Sequence, residues 1–249
     1  MIRLADRCPP SDLPERMDRG DQDPDLLDRA LDALARANRR FGGTRAVWRP
    51  LARALERRPP PSGELRLLDV GAGGGDMGRE LGRRMRERGF APRLLLGDPH
   101  GETLRLARHR GDRNDEAAGA RYLRLRAERL PLRADAVDFV VCSTTLHHLE
   151  REAARSFLRE ADRVASRAWV VADLRRSWPA YLAVRLLAHT LWRNNPLPRS
   201  DGPRSVRRAF TPGEAERLLV ETGLEDARVR PAPPFRLAIL GGAAAPPRR

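Results

Sequence analysis

The chain has 249 residues and a mass of 28.0 kDa, too long for a mini-protein and enough, at about 150 residues per domain, for one α/β domain with an accessory segment. Hydrophobic residues make up 41% and charged residues 33%, so a core can be buried, but with 5% aromatics it must be filled mainly by aliphatic and alanine side chains. All the basic residues, 48 in number, are arginine. Lacking any lysine, the chain is excluded from Schiff-base, pyridoxal-phosphate, Walker A and kinase β3-lysine chemistry. The net charge of +14 suits a polyanion, yet the arginines are spread through every predicted element, which disfavours a nucleic-acid partner and points to a basic, solvated surface. Cys8 and Cys142 make no metal-type or redox-type spacing, as expected of reduced thiols in a cytoplasmic protein.

Residues 1–22 are proline-rich and lack periodicity, so they read as an irregular lead-in without an apolar leader segment. Asp23-Pro24 is an N-cap and first-turn pair, and Leu27, Leu31, Leu34 and Phe41 recur at helical spacing up to Gly42-Gly43. A second helix is predicted over about 45–57, with Val47, Leu51 and Leu55 inward, before the stiff linker Pro59-Pro60-Pro61-Ser62-Gly63. Residues 1–61 are thus expected to be a lead-in plus an N-terminal helical cap, and 62–249 the main domain.

From Leu65 short aliphatic runs alternate with helical patterns, the signature of a parallel sheet with crossover helices. Strands are predicted at about 66–70, 93–97, 121–125, 137–142, 168–173 and 235–240, with a weak one at 226–230. The expected fold is α/β: a Rossmann-like, seven-stranded, mostly parallel sheet with helices on both faces. Met77, Leu81 and Met85 give the helix after the first strand a buried face, which Gly89 ends. Thr211, Pro212 and Glu214 spell a capping box for a late helix that ends at Gly223. The segment at about 177–209 is a helical insertion, and its longest apolar stretch is interrupted by Arg185 and His189, so no membrane span is expected.

The turn after the first strand reads Asp69-Val70-Gly71-Ala72-Gly73-Gly74-Gly75. Glycines there let backbone amides and a helix N-terminus approach a ligand without Cβ interference. The dinucleotide fingerprint fits poorly, because its third glycine position is Asp76. What does fit is acidic-x-G-x-G-x-G followed by Asp98 at the end of the second strand, where a carboxylate can accept bonds from both ribose hydroxyls of a nucleoside.

With Glu128-Arg129-Leu130-Pro131-Leu132, Val137–Ser143 and Leu146-His147-His148-Leu149 following in order, the chain resembles class I S-adenosylmethionine-dependent methyltransferases from about Leu65 to Leu240. Within that class it resembles the branch that methylates ubiquinone and menaquinone precursors and polyketide-derived phenols. The resemblance implies S-adenosylmethionine as cofactor. It further implies that Gly71, Ala72, Gly73 and Gly75 lie along the methionine part, Asp69 helps hold its amino group, Asp98 binds the ribose, and Ala127, Glu128 and Ser143 lie near the adenine and the reaction centre. Family members commonly carry an aspartate where this chain has Arg126, so no adenine contact is expected from that side chain.

Ligands of open parallel sheets bind at the carboxyl ends of the strands, which brings Ser143 to His148 and Asp173 to the methyl acceptor. His147 and His148 have the intrinsic basicity to take a proton, but neighbours on a helix diverge by about 100°, so at most one of them is expected to reach the acceptor, the alternative being that both pack or cap the helix that begins there. No carboxylate or cysteine nearby in sequence completes a metal set, and no metal is expected. Tyr181, Arg185 and His189 share one helix side that would help lid an apolar or aromatic acceptor pocket. The expected protein is a monomer or homodimer that methylates oxygen or carbon of a small molecule. An RNA-directed methyltransferase and a non-catalytic nucleoside-binding protein are the alternatives on the same fold.

Overall fold

The computed structural model describes residues 4, 6–19, 21–60, 63–114 and 119–245; Pro61 and Ser62 of the expected linker lie outside them. Seven strands form one sheet among the described residues: β1 (Glu64–Val70), β2 (Ala91–Asp98), β3 (Arg121–Arg124), β4 (Val137–Ser143), β5 (Ala165–Leu174), β6 (Arg228–Ala232) and β7 (Arg236–Gly242). Their order is β3-β2-β1-β4-β5-β7-β6. Pairings from β3 to β5 are parallel, and β7 runs antiparallel to both β5 and β6. This is the expected Rossmann-like sheet, and the strand order reverses between β1 and β4, where ligands of such sheets bind.

The aliphatic runs that predicted the strands are buried on both faces, as parallel strands require. Leu65, Leu67, Leu94, Leu96, Phe139, Val141 and Val170 face one layer of the core, whereas Leu68, Val140, Cys142, Val171, Leu237 and Ile239 face the other. Val137 breaks the alternation and joins the second layer, because the β4–β5 register shifts between Val137 and Phe139.

Helix α1 (Pro24–Arg40) starts where Asp23 accepts from the Leu26 amide at 2.8 Å. Helix α2 (Gly43–Arg57) begins two residues earlier than periodicity suggests, since left-handed Gly42 turns the chain directly into it. Val47, Leu51 and Leu55 enter the main core with β1, β4 and β5, so α2 is one of the helices layered on the sheet rather than part of a separate cap. Helix α3 (Asp76–Arg86) buries Met77, Leu81 and Met85 as expected. Helices α4 (Gly101–Asn114) and α5 (Arg151–Val164) complete the early crossovers. The insertion forms two helices, α6 (Trp178–His189) and α7 (Pro196–Arg208), and α8 (Pro212–Thr222) carries the Thr211–Glu214 capping box and ends on left-handed Gly223. No helix is long and apolar enough to cross a membrane among the described residues.

The lead-in is not a free arm. Arg7 donates to the Leu149 carbonyl at 2.7 Å, the Cys8 amide to the Arg207 carbonyl at 3.1 Å, and the Met17 amide to Asp201 at 3.0 Å. Met17 packs with Leu27, Leu31 and Leu106. Residues 7–18 therefore run as a strap from α7 to α1 and α4, across the carboxyl ends of the central strands.

Candidate active site

Parallel register aligns the strand ends that sequence reasoning brings together. Val70 pairs with both Gly97 and Cys142, and Ser143 pairs with Ala172. The glycine turn, Asp98, Ser143–His148 and Asp173 thus share one edge of the sheet.

At the turn, the amides of Gly71 and Ala72 both donate to the Gly97 carbonyl, at 2.8 and 2.9 Å. Gly71, Gly73 and Gly75 have φ of 70°, 53° and 75°, the left-handed region that glycine enters without strain. The three differ in what surrounds them. A Cβ on Gly71 would collide with Thr145, and one on Gly75 would collide with Arg79 and crowd Leu96; at Gly73 the nearest atom is Leu31 Cδ2, at 3.6 Å. Gly71 and Gly75 are therefore required by packing, and Gly73 is the position that leaves room for a ligand.

Asp98 holds the turn. Its Oδ2 accepts from the Gly73 amide at 3.1 Å and its Oδ1 from the His100 amide at 3.0 Å. Burial raises its pKa against these two amides. Asp69, 1% exposed, lies beneath, and neither carboxylate oxygen has a hydrogen-bond partner of ordinary geometry. Burial and the charge of Asp76 push its carboxyl to about 8, with a smaller contribution from Asp98.

Ala127 is buried after β3. Glu128 is drawn off by Arg126, whose Nε lies 2.6 Å from its carboxylate. The side chains of Ser143, Thr144 and Thr145 interlock, with Ser143 Oγ 3.4 Å from Thr144 Oγ1 and Thr145 Oγ1 donating to the Ser143 carbonyl at 3.2 Å. Thr144 has φ 56°, a strained setting for a β-branched residue of the kind that accumulates at functional turns.

The single 3-10 turn Leu146–His148 separates the two histidines. His147 is 2% exposed; Asp173 accepts from its backbone amide at 2.7 Å and lies 2.8 Å from Nδ1. Burial opposes its charge, but Asp173, with Glu15, raises its pKa to about 9. His148 keeps a quarter of its side chain exposed, has Nδ1 2.8 Å from Asp18, and lies near enough to Asp98 to lower the pKa of that carboxyl. Of the pair, His148 is the one with ring surface exposed to solvent.

Three residues of this cluster have no sequence signal. Glu15, 4% exposed, lies with Oε1 3.5 Å from His147 Nε2 and Oε2 3.7 Å from His148 Nε2. Arg208, 1% exposed, reaches Glu15 at 3.1 Å and Asp18 at 3.2 Å and donates to the His147 carbonyl. Helix α7, not α6, faces the site. Of the α6 side expected to lid the pocket, Tyr181 is buried against Leu4 and Val206 while Arg185 and His189 are exposed, as are Leu182 and Leu186 on the other faces, so that side does not close over the site.

Residues 68–168 match the family model described as a methyltransferase domain. No curated protein matches the chain in sequence. Among solved structures it is similar to an S-adenosylmethionine-dependent methyltransferase from Aquifex aeolicus, with 18% identity, 88% of this chain and 97% of that chain covered, and a TM-score of 0.58. It is also similar to an O-methyltransferase family 2 protein from Planctomyces limnophilus in complex with apigenin, with 14% identity, 89% and 62% covered, and a TM-score of 0.62. A third likeness is to human N-acetylserotonin methyltransferase in complex with S-adenosylmethionine, with 13% identity, 88% and 56% covered, and a TM-score of 0.60. At these identities the structures share the fold. The match marks residues 68–168 as a methyltransferase domain, and the fold around it is the one these S-adenosylmethionine-dependent enzymes share.

The residues present fit that cofactor. An unpartnered buried carboxylate at Asp69, a second carboxylate at Asp98 and an uncrowded left-handed glycine at Gly73 suit a cationic amine, a diol and the close approach of a chain, respectively.

Proposed function

We propose that the protein methylates an oxygen or an acidic carbon of an apolar, aromatic small molecule of the quinone-like or polyketide-phenol kind. When bound, S-adenosylmethionine supplies a sulfonium that carries the transferable methyl group. The chain's own task is to align acceptor and methyl carbon, exclude water and receive the acceptor's proton. Asp69, Gly71, Ala72, Gly73, Gly75 and Asp98 hold the cofactor, with Ala127, Glu128 and Ser143 at its edges. His148 takes the acceptor's proton at a ring nitrogen. His147, locked by Asp173, positions the turn that presents it.

The observation that carries this reading is a buried histidine–carboxylate pair packed against a second, partly exposed histidine, with ring centroids 4.2 Å apart, at the carboxyl end of β4. A phenol or an acidic C–H needs such a base at the strand end where the methyl arrives. The apigenin bound to the Planctomyces limnophilus protein of the same fold agrees with an aromatic acceptor. The test is incubation with S-adenosylmethionine and a panel of phenols, quinols and flavonoids, with mass spectrometry of the products. Gain of one methyl group by a phenolic member supports the reading; methylation of RNA alone, or cofactor binding without any methyl transfer across the panel, overturns it.

A further inference from the structure

We propose that Glu15, His147 and His148 form a binding site for a divalent transition-metal ion of the zinc type. One oxygen and two ring nitrogens, drawn from the strap and from the turn after β4, lie within 4.8 Å of one another. Both Nε2 atoms converge on the two oxygens of Glu15, at 3.5 and 3.7 Å. Those separations are too long for N–H···O hydrogen bonds. They come close to the edge of about 3.3 Å that neighbouring ligands span around a tetrahedral ion with bonds of roughly 2.0–2.1 Å. His147 Nε2 is buried and has no hydrogen-bond partner of ordinary geometry, with Glu15 Oε1 3.5 Å away.

The outer faces of both rings are arranged as metal sites require. A ligating histidine holds its second nitrogen on a carboxylate, which fixes its tautomer and orientation. Here Asp173 lies 2.8 Å from His147 Nδ1, and Asp18 lies 2.8 Å from His148 Nδ1. With each Nδ1 as the donor, loss of the Nε2 proton to an incoming cation would turn a lone pair toward Glu15. Charge points the same way. Glu15, Asp18 and Asp173 are opposed directly by Arg208, which contacts two of them, leaving two carboxylate charges to be met by ring protons or by a cation. Two protons or one divalent cation would balance them. Two imidazoles with one carboxylate suit zinc and its neighbours better than magnesium or calcium, which favour oxygen.

Three protein ligands leave a coordination position for an oxygen of the acceptor. The ion would then do by polarising that oxygen what the free His148 ring does in the metal-free cluster. That last step rests on the methyl-transfer reading, but the site itself does not, and its test needs neither cofactor nor acceptor.

The full-length protein, stripped with a chelator, is titrated with zinc chloride by calorimetry, and separately loaded with cobalt(II) and read by visible absorption. One equivalent of zinc and a d–d band of four- or five-coordinate cobalt are expected, with magnesium giving no saturable binding. Glu15→Gln and His148→Gln are each expected to weaken zinc at least tenfold. Asp173→Asn, by freeing the ring orientation, is expected to weaken it about 10–100-fold. The exposed histidine variant His109→Gln should bind as the parent does. Because the cobalt spectrum is taken on the unaltered protein, an unstable variant leaves the question decidable. Absence of saturable zinc and cobalt binding in the parent, or binding that survives Glu15→Gln and His148→Gln together, overturns the site.

Discussion

On its proposed role beside the cofactor's amino group, Asp69 would make the cofactor's arrival a proton-linked event. Its carboxyl has a pKa near 8 in the folded chain against an ordinary 3.8, chiefly because of burial, so at pH 7 it is about nine-tenths protonated. A group whose folded pKa is raised binds its proton more tightly when folded. Its cost to stability is therefore absent below about pH 4 and grows through pH 8, to on the order of 4 kcal/mol at pH 7. The amino group that Asp69 is proposed to hold is a cation and favours the carboxylate, so binding must expel that proton. Over pH 6–7, below the range where an α-amino group itself titrates, S-adenosylmethionine affinity is expected to rise about tenfold. Calorimetry in two buffers of different ionisation enthalpy should show close to one proton released per cofactor at pH 7. Asp69→Asn should release none, bind with a flat pH dependence, and melt at a higher temperature than the parent at pH 7–8. Parent enthalpies that agree between buffers would refute the reasoning, as would a variant that keeps the parent's pH slope.

Asp98→Ala is expected to weaken S-adenosylmethionine by about 1.5–3 kcal/mol, because charge-assisted hydroxyl bonds are lost and the Gly73 amide loses its acceptor; titration calorimetry checks it, and unchanged affinity removes Asp98 from the site. Gly73→Val should be at least as damaging to binding, since a β-branched side chain resists a φ of 53° and fills the one uncrowded position of the turn. A folded variant with normal affinity contradicts this. With a methylated acceptor in hand, His148→Ala should lower turnover by about 10²–10⁴ while cofactor affinity stays nearly constant. If turnover persists, proton transfer lies elsewhere. Arg208→Met should cost about 3–5 kcal/mol in denaturant unfolding, because it strands buried Glu15 beside Asp18; a loss below 1 kcal/mol would show that the cluster does not need its arginine.

The sheet and the cofactor turn were legible because their information is local. Aliphatic runs such as Leu65–Val70 and Val137–Cys142 can be buried on both faces only as parallel strands, and left-handed turns at Gly71–Gly75 have few alternatives to glycine. That Asp173 lies near Ser143–His148 also followed from the rule that adjacent strand ends meet, whereas its pairing with His147 did not. Glu15, Asp18 and Arg208 escaped for the opposite reason. Glu15 and Asp18 lie in a proline-rich stretch without periodicity, their contacts with His147, His148 and Arg208 span more than a hundred positions, and each of the three looks like an ordinary surface charge until the strap is seen crossing the strand ends. The same limit misled the reading of α6. Tyr181, Arg185 and His189 do share a side, but periodicity alone does not say which side packs, and Tyr181 turns toward Val206 while the leucines face outward.

The strap also changes what the basic composition means. Spread along the sequence, the arginines suggest a solvated surface, yet Arg79, Arg176 and Arg208 are 5%, 3% and 1% exposed. Each lays its planar fork on backbone carbonyls: Arg79 on Gly74 and Ala107, Arg176 on Leu4 and Ala209, Arg208 on His147. Arg7 and Arg204 do the same between the strap, the turn after β4 and α7. A lysine could supply the charge but not several fixed donors at once, so replacing these arginines by lysine removes geometry while leaving the net charge untouched. Part of the formal charge therefore serves as internal cross-linking of an irregular segment that has few apolar contacts of its own. The histidine pair and Glu15 stay in register because arginine forks, rather than a helix or a strand, hold the segment that brings Glu15 to them.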